Sequence, residues 1–391
     1  MNFKRRNLIQ LIITLTVISS CTIYYLYIND YINFRLLSIG DMNPYGGWSA
    51  FKSAFTDLSY RWRGFSRSIA LSIAVMLISL FLGRFFCGFI CPIGALQDFF
   101  KYIGVKIGLK AIKLKKPIYS KLELLKYFIL IAVLVLSILE MGNLIGPFSP
   151  WLAYLNCFLG LNFTIGTIIL LAIIVVSLFA KRIFCRFFCP LGAFQSLLYA
   201  IGPFKIHKSQ NCNGCAHCIR NCPVNIENND DIISPECINC LECIDSSCIN
   251  GNEGYSMKFA GRKINSSKYI IICLVLFVGI YFILPVVRFS SDLQLIGNIG
   301  NIQDGLYSGD GIGFGGNIEV EVKINKNEIR EIKIINHRET SGYYQEVFKE
   351  LAKEIIETQG LNVDAVSGAT ASSRGFINAV KDAVSQSLST N

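Results

Sequence analysis

The chain has 391 residues, 52% of them hydrophobic and 16% charged, with a mean hydropathy of +0.46. Soluble domains carry about 25% charged residues, so the composition excludes a wholly soluble protein and leaves a membrane protein with soluble parts; the length admits two or three units. The net charge of +10 is unevenly spread, and no basic run interleaved with aromatics lies in a polar setting, which sets nucleic-acid binding aside.

Lys4-Arg5-Arg6 precedes an apolar run over about residues 8–28, long enough to cross a bilayer core of ~30 Å. Ile18-Ser19-Ser20-Cys21 has the form of a lipidation box, so a lipoprotein signal is the rival to a retained transmembrane helix. Further spans are expected over about residues 67–83, 124–141, 163–180 and 269–287. The positive-inside rule orients them. Lys4 to Arg6, residues 84–121 and residues 181–268 are basic and read as cytoplasmic, whereas residues 142–162 hold no Lys or Arg and read as external. The loop over residues 29–66 carries Arg35, Lys52, Arg61 and Arg63 and fits the rule poorly, yet the count of spans places it outside. The expected order is N-terminus in, cysteine-rich stretch in, C-terminal domain out. His207, His217 and His337 all lie outside these spans, which excludes a b-type haem held by two histidines in the bilayer.

Eight of the fifteen cysteines fall within residues 212–248 in two runs: Cys212, Cys215, Cys218 and Cys222-Pro223, then Cys237, Cys240, Cys243 and Cys248. C-x2-C-x2-C-x3-C-P is the spacing of a [4Fe–4S] ligand run whose fourth cysteine crosses to the other cluster. That assigns cluster one to Cys212, Cys215, Cys218 and Cys248, and cluster two to Cys237, Cys240, Cys243 and Cys222. The second run departs from the pattern, with four residues between Cys243 and Cys248 and no proline after. A zinc site or disulfides are the alternatives; two tandem runs of four favour a two-cluster ferredoxin module.

Residues 84–97 (RFFCGFICPIGALQ) and 182–195 (RIFCRFFCPLGAFQ) align without a gap, nine of fourteen positions being identical. Each copy sits at the inner end of an expected span and carries a C-x3-C-P turn: Cys87 and Cys91, then Cys185 and Cys189. Cysteines at i and i+4 share a helix face, and a pseudo-twofold pairing brings four thiols together. Three readings stay open: ligands of a further metal centre, a redox relay beside a quinone pocket, or small hydrophobes that only pack.

With FCGFICPIGA, FCRFFCPLGA and the two ferredoxin runs, residues 69–250 resemble the membrane-bound polyferredoxin family. Its members include NapH-like quinol dehydrogenase subunits, nitrous-oxide-reductase maturation flavoproteins and membrane flavoproteins found beside reductive dehalogenases. The resemblance implies membrane electron transfer, fed by quinol or a cytoplasmic ferredoxin, to an external partner.

From Asp304 the pattern changes to a glycine-rich loop (Gly309 to Gly316), a strand alternating at Ile318, Val320, Val322 and Ile324, a second strand over about residues 328–335, and helices over about residues 343–356 and 373–387. Asp364-Ala365-Val366-Ser367-Gly368-Ala369-Thr370 resembles the signature of FMN-binding domains of the sodium-pumping quinone reductase and Rnf complexes. The resemblance implies a flavin transferase that links FMN through its phosphate to Thr370, with Asp364, Ser367, Gly368 and Ala369 around it. It also places Glu339 and Thr340, within His337-Arg338-Glu339-Thr340, near the flavin ring. Where that family continues Pro-Gly-Leu-Gly, this chain has Ser341-Gly342-Tyr343-Tyr344.

The expected fold is an α-helical membrane protein of about five spans, with a two-cluster ferredoxin insert and a C-terminal α+β FMN-binding domain. Its divisions are residues 1–207, 208–250, 269–288 and 296–391. The expected function is electron transfer from cytoplasmic clusters to covalent FMN outside, and from there to an extracytoplasmic acceptor. A redox-sensing or maturation factor and a subunit of an ion-pumping complex are the alternatives.

Overall fold

The computed structural model describes residues 5–29, 31–34, 36–45, 67–110, 116–139, 145–158, 164–209, 212, 218, 221–226, 231–245, 254–286, 302–339, 344–361, 363, 366 and 369–387. In chain order the main elements are α1 (Arg5–Ile28), α2 (Arg67–Phe81), α3 (Pro92–Lys106), α4 (Lys116–Ile138), α5 (Ile165–Phe179), α6 (Pro190–Ile201), β1 (Phe204–Lys208), β2 (Tyr255–Phe259), β3 (Arg262–Ile264), α7 (Ser266–Ile283), β4 (Gly305–Ile312), β5 (Asn317–Asn325), β6 (Glu328–His337), α8 (Tyr344–Thr358) and α9 (Thr370–Ser387). They form two compact units. The first comprises Met1–Ile18, Ile73–Glu140 and Ile165–Tyr281; the second comprises Ser19–Ser72, Met141–Thr164 and Phe282–Asn391.

Among the described residues two helices are long and apolar enough to cross a membrane, Arg5–Ile28 and Ser266–Val286. Helices α2 and α5, at the second and fourth expected spans, have 15 residues each, about 22 Å at ~1.5 Å per residue against a core of ~30 Å. Helix α1 runs unbroken through Cys21, which is fully buried.

In the first unit, α3 packs on α5 and α6 on α4. Each of α3 and α6 opens with proline at its first helical position, where the missing N–H costs nothing and the fixed φ is already helical. Strands β1, β2 and β3 form an antiparallel sheet in which Phe204 pairs with Phe259 and Met257 with Ile264. This sheet was not legible in the sequence. It fastens together the two ends of the cysteine-rich stretch, and Ile233 N–H donates to the Ile206 carbonyl at 2.9 Å to draw the middle in.

The second unit contains the antiparallel sheet β4-β5-β6. Alternation at Ile318, Val320, Val322 and Ile324 puts one face of β5 in the core, as the period of two requires. Phe376, Ala379, Val380, Ala383 and Val384 line the facing stripe of α9, and Val347, Leu351 and Ile355 that of α8. The structure corrects one expectation here. Gly305 to Ile312 form a strand, so the glycine-rich segment is not a loop before residue 313. A side chain on Gly309 would meet the Ala379 carbonyl at 2.2 Å, and one on Gly311 the Gly375 carbonyl at 2.0 Å. The glycines therefore let α9 lie directly on β4.

Candidate functional site

The two turns are built alike, and differently from the sequence expectation. Cys87 and Cys91 do not share one helix face. Cys87 sits in a π-helical turn, Phe86–Ile90, after which Cys91 adopts an extended conformation and caps α3. In the second copy Cys185 lies in the short helix Ile183–Phe187, and Cys189 caps α6. Helix therefore stops between the cysteines of each pair and restarts at the proline. Cys189 Sγ accepts the Gly192 N–H at 3.3 Å, while Cys91 caps α3 without a side-chain bond. A helix N-terminus favours negative charge on such a sulfur.

The copies interlock. Cys87 Sγ stands 3.3 Å from Gln195 Oε1, and Gln97 Nε2 donates to Cys185 Sγ at 3.1 Å. Gln97 and Gln195 occupy the same position of the repeat, as do Arg84 and Arg182. Both arginines are fully buried. The Arg182 guanidinium abuts Gly94 of the other copy, and that of Arg84 abuts Gly192, where an added Cβ would stand 3.2 and 3.0 Å from the guanidinium nitrogens, tighter than ordinary contact. Arg182 donates to Asp98 Oδ1 (2.9 Å), Asp98 Oδ2 (2.6 Å) and the Cys87 carbonyl (2.6 Å). Arg84 Nη1 donates to the Glu236 carbonyl at 3.0 Å and to Glu236 Oε2 at 3.2 Å, and Lys126 pairs with the same carboxylate. Burial pushes the Cys185 thiol up to about 12, against the lowering influence of Arg182, with Cys189 and Cys87 close enough to push it further. Cys91 is raised by burial and then by Cys185, Cys87 and Cys189. Cys91 and Cys185 are thus each close enough to Cys87 and Cys189 to feel their charge. The sequence held the signal for the arginines and glutamines, since all four are identical polar positions in the duplicated segment.

The ferredoxin-type cysteines lie against these turns. Burial raises Cys237, with Cys240 and Cys222 adding to it, and raises Cys243, with Cys237, Cys240, Cys222 and Cys218 adding. The cysteines expected to hold cluster two therefore stand together, with Cys218 beside them. Tyr255 is raised by burial and by Cys218, Cys243, Cys212 and Cys222, which brings Cys212 to the same neighbourhood. Cys215 and Cys248 lie outside the described residues. Asn239 and Leu241 hold φ of 51° and 62°, an uncommon left-handed backbone for a leucine. The Asn239 N–H bonds Cys237 and the Glu242 N–H bonds Cys240. Such amide-to-sulfur bonds tune iron–sulfur centres, so the donor set fits a cluster. Among the described residues no three His, Cys, Asp or Glu side chains converge closely enough for a single metal ion.

In the second unit Glu339 is buried; it accepts the Gly315 N–H at 2.9 Å and a short bond from the Ser372 hydroxyl. His337 accepts the Glu339 N–H at 3.3 Å and packs against Tyr344 and Phe348, with ring centroids 4.3 and 5.1 Å away. Thr370 is the first residue of α9, Ala369 is buried beneath it, and the Ser373 hydroxyl caps the Val366 N–H. No acidic residue stands in the first turn of α9, an 18-residue helix, so its amide end fits a phosphate. Asp364, Ser367, Gly368 and Thr340 lie outside the described residues, as does the Thr370 side chain.

Comparison with known proteins supplies the family. A 4Fe-4S binding domain family matches residues 64–110 and again residues 162–209, and an FMN-binding domain family matches residues 313–385. The chain is 34% identical over 199 residues to an uncharacterized protein of Methanocaldococcus jannaschii, covering 50% of this chain and 81% of that one. It is 28% identical over 167 residues to the regulatory protein NosR of Pseudomonas aeruginosa, covering 40% and 23%. It is 24% identical over 194 residues to the ferredoxin-type protein NapH of Escherichia coli, covering 46% and 65%. The chain belongs to the NosR- and NapH-like polyferredoxin family. It joins 4Fe-4S binding and FMN-binding domains in one polypeptide. The two 4Fe-4S matches fall on the duplicated turns, and residues 212–248 lie beyond them.

Proposed function

We propose that this polyferredoxin carries electrons across a membrane between cytoplasmic iron–sulfur clusters and an FMN held outside. The observation that carries this reading is that the FMN-binding domain follows α7, a helix of membrane length, whose entry is marked by Arg262, Lys263 and Lys268. Basic residues hold that entry on the cytoplasmic side. Helix α1 supports the same polarity. Its basic N-terminal turn belongs on the inside, and its last turns serve the flavin domain: Tyr24 and Tyr27 donate to Glu346 and Glu350 of α8 at 3.1 and 3.2 Å. About five spans, with α2, α4 and α5 completing the set, keep the C-terminal domain outside.

In this reading Cys212, Cys215, Cys218 and Cys248 hold one [4Fe–4S] cluster, and Cys237, Cys240, Cys243 and Cys222 the other. Thr370 carries FMN through a phosphoester made by a flavin transferase. The clusters supply one-electron steps and the flavin a change between one- and two-electron chemistry. The chain's own part is placement. The amide end of α9 receives the phosphate, Glu339 holds Gly315 and Ser372 together beside it, and the β1-β2-β3 sheet closes the cysteine stretch. The donor is a quinol or a reduced cytoplasmic ferredoxin, and the acceptor is extracytoplasmic.

Two measurements test this. Denatured full-length protein made with its flavin transferase should show a fluorescent band that Thr370→Ala abolishes; no band in the wild type sinks the FMN assignment. Protease added to intact cells should release the domain after Arg288, and protection of that domain ends the transmembrane reading. A regulatory role is favoured by the likeness to NosR, which is named a regulatory protein. Sustained turnover in membranes with an external acceptor separates the two, because a sensor is reduced stoichiometrically and stops.

A further inference from the structure

We propose that Arg6, in the first turn of α1, is a positioning residue that raises the reduction potential of the cluster held by Cys237, Cys240, Cys243 and Cys222. Arg6 lies outside the segments that the two domain families match, and the cluster it serves is that of the electron-transfer reading, on which this inference rests. An arginine that only marked the cytoplasmic end of a span would keep its charge in water or among headgroups. Arg5 does so: it is exposed and donates to the Ser267 hydroxyl at 2.7 Å. Arg6 is turned inward. Its side chain is 11% exposed, with Nη2 3.3 Å from Asp98 Oδ2 and Nη1 3.6 Å from Glu242 Oε1. Gln10, one turn along α1, fixes that end of the helix. Its buried amide donates to the Gly88 carbonyl at 3.0 Å and to Asp98 Oδ2 at 3.3 Å. A side chain on Gly88 would meet the Ile238 carbonyl at 2.5 Å, so the backbone that anchors Gln10 lies flush against the second cysteine run.

The guanidinium is not used up by these contacts. Its Nε and Nη1 are buried, and neither has a hydrogen-bond partner. Glu242 stands beyond bonding distance of Nη1, and Asp98 is already met by Arg182 through two bonds. Burying a donor without a partner is costly, so a cation held here needs a further negative neighbour. The second cysteine run supplies one. The Glu242 N–H bonds Cys240, which places the guanidinium on the Cys240 side of that run. Burial pushes the Cys240 thiol up to about 11, and Arg6 is the largest influence in the opposite direction, ahead of the raising effect of Glu242. The positive charge is therefore felt at Cys240 more strongly than the carboxylate two residues away. Each electron that enters the cluster adds one negative charge beside Arg6. Net charge and hydrogen bonds to sulfur set the potential of such a centre, so a buried cation favours the reduced form.

The test is a potentiometric titration of anaerobically reconstituted full-length protein, with dithionite as reductant and EPR of the reduced clusters as read-out. Cluster two is the signal lost in Cys240→Ser. Arg6→Gln keeps an amide and removes the charge; it should lower the midpoint potential of that signal and leave the other signals unmoved, at wild-type iron content. Arg6→Lys keeps the charge and should hold the potential near the wild-type value. An arginine with a merely structural role would alter melting temperature or iron content without moving one potential selectively. An unmoved potential in Arg6→Gln with iron retained, or a lysine variant that shifts as far as the glutamine variant, overturns the inference. Should Arg6→Gln fail to accumulate in membranes, Glu242→Gln removes the carboxylate that offsets Arg6, and the same signal should rise in potential; no rise overturns it. Intact mass gives a reading that needs no cluster: the mature chain must keep Arg6 and Gln10, and a chain that begins at Cys21 overturns the inference. Protein without any signal that Cys240→Ser removes ends the cluster reading and this inference with it, whereas a signal that is present but unmoved ends the inference alone.

Discussion

Asp98→Asn probes the frame that holds the turns. Arg182 is fully buried and sits at φ 44°, in left-handed backbone at the entry to the second turn. Its charge is met by Asp98 through two bonds, and its third bond goes to the Cys87 carbonyl. Removing one partner of a buried ion pair costs about 3–5 kcal/mol, because the remaining charge stays buried. Asparagine keeps one acceptor oxygen, which puts the expected loss near 3 kcal/mol. In a unit of about 200 residues each kcal/mol moves the melting temperature by about 2–4 °C, so Tm should fall by about 6–12 °C. The assay is thermal melting in detergent, run as a double-mutant cycle with Arg182→Gln. The double variant removes both charges and should lose far less than the sum of the single variants. Strictly additive losses, or a shift under about 2 °C for Asp98→Asn alone, would refute the view that Arg182 is a buried cation dependent on this carboxylate.

The same carboxyl gives a pH signature. Burial pushes Asp98 up, but Arg182 and Arg6 more than offset that and hold it below the usual value. Its contribution is therefore full above the unfolded value of about 3.9 and is lost as pH falls through the lower folded value. The stability gap between wild type and Asp98→Asn should be constant from neutral pH to about pH 5 and shrink below pH 4; a gap that grows on acidification contradicts the assignment. Gly375→Ala should destabilise the flavin domain by about 1–3 kcal/mol or more, since its methyl would meet Gly313 Cα and N at 2.5 Å; chemical denaturation of the full chain, read by flavin fluorescence, checks it. Glu339→Gln should cost about 1.5–3 kcal/mol by the same read-out while the flavin band on a denaturing gel persists, because Glu339 bonds Gly315 and Ser372 and the proposed ester is made by the Thr370 hydroxyl. Loss of the band would assign Glu339 to attachment instead.

What was legible in the sequence depended on periodicity and spacing. The alternation at Ile318 to Ile324 named β5, and the apolar stripe at Val347, Leu351 and Ile355 named α8. Strand β4 was missed because four of its eight positions carry no alternation of their own: Gly305, Gly309 and Gly311 contribute absence of side chain, and Asp310 is exposed. What makes them a strand is a helix that needs to come close. The β1-β2-β3 sheet was missed for another reason. Its strands are short, and β1 (Phe204–Lys208) lies far along the chain from β2 (Tyr255–Phe259), so only the folded module shows that Phe204 and Phe259 are partners. At the turns the cysteines are conspicuous in the sequence, whereas the roles of Arg84, Arg182, Gln97 and Gln195 are not. Their pairing runs between copies, and an alignment of one copy on the other does not display it.

The places where the two copies differ are as informative as those where they agree. Gly88 in the first copy stands where Arg186 stands in the second. At Gly88 a side chain would strike the Ile238 carbonyl at 2.5 Å, so this copy takes the backbone of the second cysteine run flush against its π-helical turn. At the matching point Arg186 reaches out, donating to the Val224 and Asn225 carbonyls just beyond Cys222-Pro223 and pairing with Glu123. One copy thus seats the second cysteine run and the other seats the end of the first. A duplicated pair of turns on its own would present two equal faces to an asymmetric partner. A glycine in one copy and an arginine in the other give the cysteine module a single way to dock, with Cys237 and Cys240 toward the first turn. Exchanging the two, Gly88→Arg with Arg186→Gly, should abolish that seating while leaving all twelve motif cysteines in place; iron retained at the wild-type level in the exchanged protein would show that the module docks by other contacts.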